Sequence, residues 1–424
     1  MGEGRASTSS LLSWALFDWA NSAFPTVIQT FVFAAYFTRR VAADETAGSA
    51  AWGTAVGTAG VVIAVSGPIL GAIADQGGRR KPWMAWFTAV CVVATSLLWF
   101  VEPGAPVLPA LVPLAVGIVA FDLASVFYNA MLPELAGDRI GRWSGWAWGL
   151  GYAGGLACLA VALFALVRPE GAWLGLDPGE AEHVRATFVL VAVWFAVFSL
   201  PVFLVTPDRP GRGRGGAAAV RDGLAQLRTT LRHVRRYETI VRFLVARMLY
   251  IDGLATLFAF GGVYAAGTFD MSEQEVLGFG IALNVTAGLG AALFAWLDDR
   301  LGSKWTILLA LAGLLATGIP ILLVESETLF WVLGIVLGTF VGPAQAASRS
   351  YLGRAAPAEL RNQMFGLYAL SGKATAFAGP FLVGWVTAWA GSQRAGMSVI
   401  MVFLAAGGLL MLSVPGQGSG FPRK

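Results

Sequence analysis

A chain of 424 residues with 57% hydrophobic and only 13% charged side chains, at a mean hydropathy of +0.68, carries far less charge than the roughly 25% of a soluble protein. A soluble globular protein is excluded, and a polytopic membrane protein is expected. The net charge of +4 and the pI near 9.2 come without a basic stripe interleaved with exposed aromatics, so no nucleic-acid partner is expected. Cys91 and Cys158 fall in apolar segments without ligand spacing, so neither a disulfide nor a metal site is expected.

Apolar stretches long enough to cross about 30 Å of hydrocarbon as helices follow one another along the chain. In the first half they lie at roughly residues 11–38, 51–74, 82–101, 107–130, 143–167 and 185–206. In the second half they lie at roughly 240–267, 274–297, 304–324, 328–348, 363–390 and 395–414. These are spans 1 to 12. Span 1 starts after ten polar residues, contains Asp18, Trp19 and Asn21, and is followed by no small-residue cleavage site, which reads as a retained span rather than a signal peptide. Met1-Gly2 opens like a myristoylation site, but Ala6 stands where Ser or Thr is required.

Between spans 2 and 3 lies Gly71-Ala-Ile-Ala-Asp75-Gln-Gly-Gly78-Arg79-Arg80-Lys81, and 224 residues later a shorter copy, Asp299-Arg300-Leu-Gly302-Ser-Lys304, lies between spans 8 and 9. An Asp at a helix end, a Gly three residues on for a tight turn, and then cations suit a short hairpin at a charged membrane face. The repeat continues elsewhere. Phe17-Asp18 through Phe24 in span 1 has a counterpart in Ile251-Asp252 through Phe258 in span 7, and Ser144-Gly145-Trp146 through Tyr152 in span 5 echoes Phe365-Gly366 through Lys373 in span 11. The expected fold is an all-α membrane protein of twelve transmembrane helices in two pseudo-symmetric six-helix bundles around a central cavity, residues 1–207 and 239–424.

The halves are joined by a basic linker, residues 208–238. It opens flexibly at Pro207-Asp-Arg-Pro-Gly, then places Val220, Leu224, Leu227, Leu231 and Val234 on one helical stripe with Arg221, Arg228, Arg232, Arg235 and Arg236 around it. Such a helix suits either the anionic membrane surface or the ends of the bundle. Basic residues (Arg79, Arg80, Lys81, Arg139, Arg142, the linker arginines, Arg300, Lys304, Arg354 and Arg361) recur in alternate loops, which makes those loops and both termini cytoplasmic. The expected location is a bacterial cytoplasmic membrane.

Five charges sit well inside spans: Asp18, Asp122, Arg247, Asp252 and Lys373. Facing lipid, they would cost on the order of 15 kcal/mol together, so they face the bundle interior or water. Arg349, at the end of span 10, is placed with them. Asp252 and Lys373 lie nearest the midplane, the depth at which a fold of two such repeats places its binding site. Asp18, Asp122 and Arg247 suit ion pairs or a gate equally well. Asn21 and Ser22 share the face of Asp18, while Tyr128, Asn129, Asn284 and Gln345 add polar groups. The substrate or proton candidates are therefore Asp18, Asn21, Asp122, Asn129, Asp252, Lys373 and Gln345. The gating or salt-bridge candidates are Asp75, Arg79, Arg80, Glu134, Arg247, Asp299, Arg300 and Arg349. Gly149-Leu-Gly151-Tyr-Ala-Gly154 matches a dinucleotide fingerprint but lies mid-span with no preceding strand, so it reads as close helix packing. His183 and His233 are isolated, and no catalytic constellation or cofactor site can be assembled.

The duplicated loop resembles the signature of the major facilitator superfamily, where its Asp pairs with basic residues of neighbouring helices and steadies one end of the transport cycle. Several further blocks resemble one branch of it, the relatives of the autophagy-linked vacuolar amino-acid effluxer. They are Leu16-Phe17-Asp18-Trp19-Ala20-Asn21-Ser22-Ala23-Phe24, Phe127-Tyr128-Asn129 through Glu134, Gly151-Tyr152-Ala-Gly154-Gly155, Tyr250-Ile-Asp252-Gly253, and Gln345 through Ser350 with Phe365 through Lys373. Phe17 departs from the Tyr common before the Asp. The resemblance implies a transporter, not an enzyme, that moves a small polar metabolite, a neutral amino acid, through the lipid bilayer; exchange or symport with protons and a monomeric state are expected beside it. Lys373 would meet its carboxylate, and Asp18 or Asp252 its ammonium or a proton. Efflux of amphipathic solutes and ligand sensing without transport are the alternatives.

Overall fold

The computed structural model describes residues 7–168, 172–211 and 216–416. It is all-helical there, with the twelve-helix arrangement of major facilitator transporters. Nine stretches are long and apolar enough to cross a membrane among the described residues, and one of these, Val107–Val167, holds two spans turned at Gly137–Arg139. The other two spans are interrupted. Span 1 runs α-helically over Thr8–Asn21 and then widens to a π-helix at Phe24–Phe31, where Pro25 lacks an amide donor. Span 11 runs over Arg361–Lys373, breaks, and resumes at Ala378–Ala390. Pro380 accounts for the break, because it offers no N–H to the carbonyl of Ala376 four residues earlier. Continuous helices were expected at both places.

The remaining spans are Glu45–Gly77 (span 2), Lys81–Leu97 (3), Val107–Ala136 (4), Ile140–Val161 (5) and Glu182–Val205 (6). In the second half they are Glu238–Phe269 (7), Glu273–Leu301 (8), Ser303–Ile321 (9), Glu327–Ala355 (10) and Gln393–Ser413 (12). Their starts carry oxygen side chains that accept orphan amides: Ser7, Asp44, Ser326 and Ser392, and Ser272 in a reciprocal capping box with Glu275. Spans 2 and 8 stop at Gly78 and Gly302, whose φ of 84° and 85° only glycine adopts readily. These are the glycines of the duplicated loop.

One apolar core gathers around Trp14, Phe17, Phe127, Tyr128 and Phe195, and a second around Phe243, Tyr250, Phe330, Tyr351 and Leu404, with Val126 and Ala130 of span 4 reaching into the second. Between the cores, span 2 lies against span 11 and span 5 against span 8. These seams are tightest at the end of the bundle bearing the duplicated loops, here the basic end. A Cβ at Gly71 would fall 2.3 Å from the Asn362 carbonyl oxygen, one at Gly67 3.3 Å from that of Gly366, and one at Gly60 4.0 Å from Lys373 Cβ, whereas Gly57 and Gly53 meet nothing within 4 Å. Along the other seam the same distance grows from 2.4 Å at Gly145 to 3.1 Å at Gly149. The halves therefore meet at the basic end and diverge away from it. At the opposite rim an exposed Arg39–Glu273 pair, 2.9 Å, links spans 1 and 8.

The linker helix, Gly216–Arg232, packs its small-residue face, Ala219 and Gly223, on span 2, with Gly223 against Ile73. Val220, Leu224 and Leu231 on the neighbouring stripe stay exposed. Gly151 and Gly154, from the fingerprint-like run, press span 5 onto Ser22 and Trp19 of span 1. Cys91 and Cys158 are buried free thiols.

Candidate transport site and the seal beneath it

The seal is built twice. Asp75, 2% exposed, accepts the backbone N–H groups of Asn362 (3.2 Å) and Gln363 (2.9 Å) and the Asn362 side-chain amide (2.8 Å) at the start of span 11. Asp299 accepts those of Gly141 (2.8 Å) and Arg142 (3.1 Å) at the start of span 5. In each case a carboxylate from one half meets the positive end of a helix in the other. Charged networks flank both contacts. Arg80, fully buried, donates to Asn362 Oδ1 and to both Glu134 oxygens, each at 3.0 Å, and Glu134 also takes Arg209 and Arg361. Burial pulls the Arg80 guanidinium below its ordinary range, and Glu134 offsets that shift. On the other seam Arg354 bridges Asp298 (2.6 Å) and Asp299 (2.9 Å), and Asp298 also receives the Ser303 and Ser350 hydroxyls.

One layer deeper, Arg349 joins four spans. It donates to Asp18 of span 1 (2.9 Å), Asn129 of span 4 (3.3 Å), and the hydroxyl and carbonyl of Ser144 in span 5 (2.9 and 2.7 Å). The guanidinium lies 5.1 to 5.7 Å from the ring centroids of Trp14, Tyr128 and Trp148. A cation this buried is tolerable because charge, hydrogen bonds and ring faces all compensate it. Phe17 fills the aromatic cluster behind, 4.8 Å from Tyr128. A tyrosine hydroxyl at that place would enter an apolar pack.

Above this layer the seams part, and there Lys373 and Asp122 pair at 2.9 Å, with side chains 31% and 21% exposed. Lys373 is the last helical residue before the break in span 11. Arg247 holds the turn below: it donates to the Tyr368 carbonyl (2.8 Å) and the Ser371 hydroxyl (2.7 Å), with its guanidinium 3.3 Å from the Tyr368 ring centroid. Asp252 is different in kind. It is 3% exposed, faces Gly379 and Thr375 at the break, and neither oxygen completes a hydrogen bond among the described residues. No cation pairs with it there.

The structure thus brings Asp18, Asn129 and Arg349 together, and Asp122 with Lys373. Asn21 is buried beside Ser22, whose hydroxyl donates to it at 3.4 Å, and Gln345 reaches Tyr152 at 3.5 Å. Among the described residues, Asn284 bonds within its own helix, to Gly280. Arg79 and Arg300 do not join the seal: both are exposed and form no ion pair among the described residues. Arg79 stands in the loop between spans 2 and 3 and Arg300 on the exposed side of the last turn of span 8, and Arg354 and Arg361 supply the charge instead. Asp298, Ser144 and Asn362 were missed by sequence reasoning. The signals that could have found them are the doubled Asp298-Asp299 and the polar start of span 11.

A family model described as vacuole effluxer Atg22 like matches residues 50–419. The chain belongs to that family. It is accordingly a membrane transporter of the major facilitator superfamily and not an enzyme. The uncharacterized MFS-type transporter YxiO of Bacillus subtilis is 26% identical over 413 residues, covering 96% of this chain and 95% of that one. Autophagy-related protein 22 of Cryptococcus neoformans is 24% identical over 60% of this chain, which spans about half, 47%, of that longer protein. Among solved structures, the proton:xylose symporter XylE superposes with a TM-score of 0.72 at 16% identity, over 96% of each chain, a likeness of fold.

Proposed function

We propose that this Atg22-like transporter moves a neutral amino acid across the membrane by alternating access, coupled to protons. The observation that carries the reading is the Lys373–Asp122 pair: an ammonium and a carboxylate 2.9 Å apart, from opposite halves, partly exposed just above the seal. A zwitterion presents the complementary pair of charges. Its carboxylate takes Lys373 and its ammonium takes Asp122, so the site ions exchange partners and no net charge enters the cavity. A singly charged solute would leave one of them unmatched. Sequence reasoning had assigned the ammonium to Asp18 or Asp252. Asp18 is committed to Arg349, and Asp122 is the carboxylate beside Lys373.

Asp252 supports coupling. It is buried with no cation beside it among the described residues, and it abuts the break in the helix that bears Lys373. Losing its proton there places a charge against the first turn of Ala378–Ala390, so proton and substrate act on the same interrupted helix. The basic loops support placing the sealed end and both termini in the cytoplasm of a bacterium, which makes the described state outward-facing. One chain supplies every group of the site, so a monomer suffices.

Thermal stabilisation of the purified protein across neutral and charged amino acids, sugars and amphipathic compounds tests the reading. Stabilisation by neutral amino acids that disappears in Lys373→Ala is the expected result. Stabilisation by amphipathic compounds alone would overturn it in favour of amphipath efflux.

A further inference from the structure

The linker helix has three faces with different surroundings. The first, Ala219 and Gly223, is spent on span 2. The next, Val220, Leu224 and Leu231, is apolar and 42%, 44% and 56% exposed. Beyond it, on the helix and the turn Val234–Tyr237 that follows, stand Arg228, Arg232, Arg235 and Arg236, all exposed and none in an ion pair among the described residues. Leu231 also forms one wall of a groove of about 170 Å³ whose other walls are Tyr237, Leu244 and Met248 at the start of span 7 and Leu367 and Leu370 of span 11. The groove is nearly all carbon and reaches the basic end of the bundle through Leu231 and Tyr237. The arginines next to Leu231 and Tyr237 along the chain therefore stand at one end of an apolar slot.

We propose that an anionic phospholipid occupies this groove, with an acyl chain against spans 7 and 11 and its phosphate among Arg228, Arg232, Arg235 and Arg236. Charge complementarity selects this occupant. A zwitterionic lipid would fill the slot equally well but leave the net positive charge of the mouth unmatched, whereas each arginine contributes to holding an anionic headgroup at a membrane surface. The lipid joins the linker helix to spans 7 and 11, and the linker helix is already docked on span 2 next to Gly71. Its occupancy therefore ties together the two halves on either side of the seal, independently of what the transporter carries.

The test is a thermal titration of the detergent-purified protein with dioctanoyl phosphatidylglycerol, dioctanoyl phosphatidylcholine and inorganic phosphate. The phosphatidylglycerol is expected to raise Tm saturably, and the other two to leave it nearly unchanged. Replacing all four arginines (Arg228→Gln, Arg232→Gln, Arg235→Gln, Arg236→Gln) is expected to weaken the apparent affinity by about tenfold or more. Leu244→Trp, which fills the slot and keeps the arginines, is expected to weaken it similarly. If that variant does not fold, Leu231→Ser on the exposed helix face removes a wall instead. Equal shifts with both lipids, a full shift with phosphate alone, or wild-type affinity in either the arginine or the groove variant would overturn the proposal.

Discussion

Asp75 and Asp299 occupy matching places in the two halves and make the same contact, each closing on the amides of the second and third residues of a helix from the other half. Asp18 and Asp252 also occupy matching places, yet one is locked to Arg349 at 2.9 Å while the other is buried with no cation among the described residues. The seal is symmetric and the interior is not. A closure shared by two pseudo-equivalent bundles requires the same latch twice, because the same packed surfaces must part and meet again in each cycle. An interior that binds one solute has no such constraint, so the repeat is free to diverge there. The divergence is concentrated in the second half, where span 11 breaks after Lys373 while its counterpart, span 5, runs unbroken through the same register.

Substitutions can break or sharpen this contrast. Asp18→Ala strands a buried Arg349 and is expected to cost about 3–5 kcal/mol of stability, read from denaturant unfolding in detergent. An equal loss in Asp252→Ala would erase the distinction between the two aspartates. Lys373→Ala removes one charge-assisted contact to the solute and is expected to lose about 1.5–3 kcal/mol of binding, roughly 10- to 150-fold, with Asp122→Ala close behind. An unchanged ligand affinity in both would dissociate the pair from binding. Asp252→Asn is expected to leave stability within about 1 kcal/mol, since no partner is orphaned, while removing the pH dependence of transport. In the unmodified protein, uptake from the open side should fall as the pH on that side rises, as the proposed coupling at Asp252 requires. A flat profile in both proteins would argue against coupling at Asp252. The smallest effect belongs to Arg79 and Arg300: Arg79→Ala and Arg300→Ala should each stay within about 0.5 kcal/mol, in contrast to Arg80→Ala and Arg354→Ala, which each remove a cation from a hydrogen-bonded network at the seal.

Much of this was legible in the residues. Hydropathy and the doubled loop were enough for the twelve-span architecture, because length and apolarity alone decide what can cross a bilayer. The interior charges were legible for the same reason: lipid excludes them, so Asp18, Asp122, Arg247, Asp252 and Lys373 had to turn inward. Their pairing was not legible. Depth along a span can be counted from sequence, but the rotation of one helix against another is set by packing, and it is rotation that gives Arg349 to Asp18 and Asp122 to Lys373. The break in span 11 was signalled by Gly379-Pro380 but masked by the apolar residues around it. Asp75 illustrates a different gap. A carboxylate near basic side chains suggests ion pairs, whereas its strongest visible partners are backbone amides at a helix start, which no side-chain pattern reveals.

The most direct measurement follows internal pH in liposomes containing the purified transporter and a trapped pH-sensitive dye, as a stabilising neutral amino acid is added outside. The unmodified protein should change the internal pH as it takes up labelled amino acid, and Asp252→Asn should exchange the label across the membrane without the pH change. The same pH change in Asp252→Asn, or no amino-acid movement in the unmodified protein, would contradict the account.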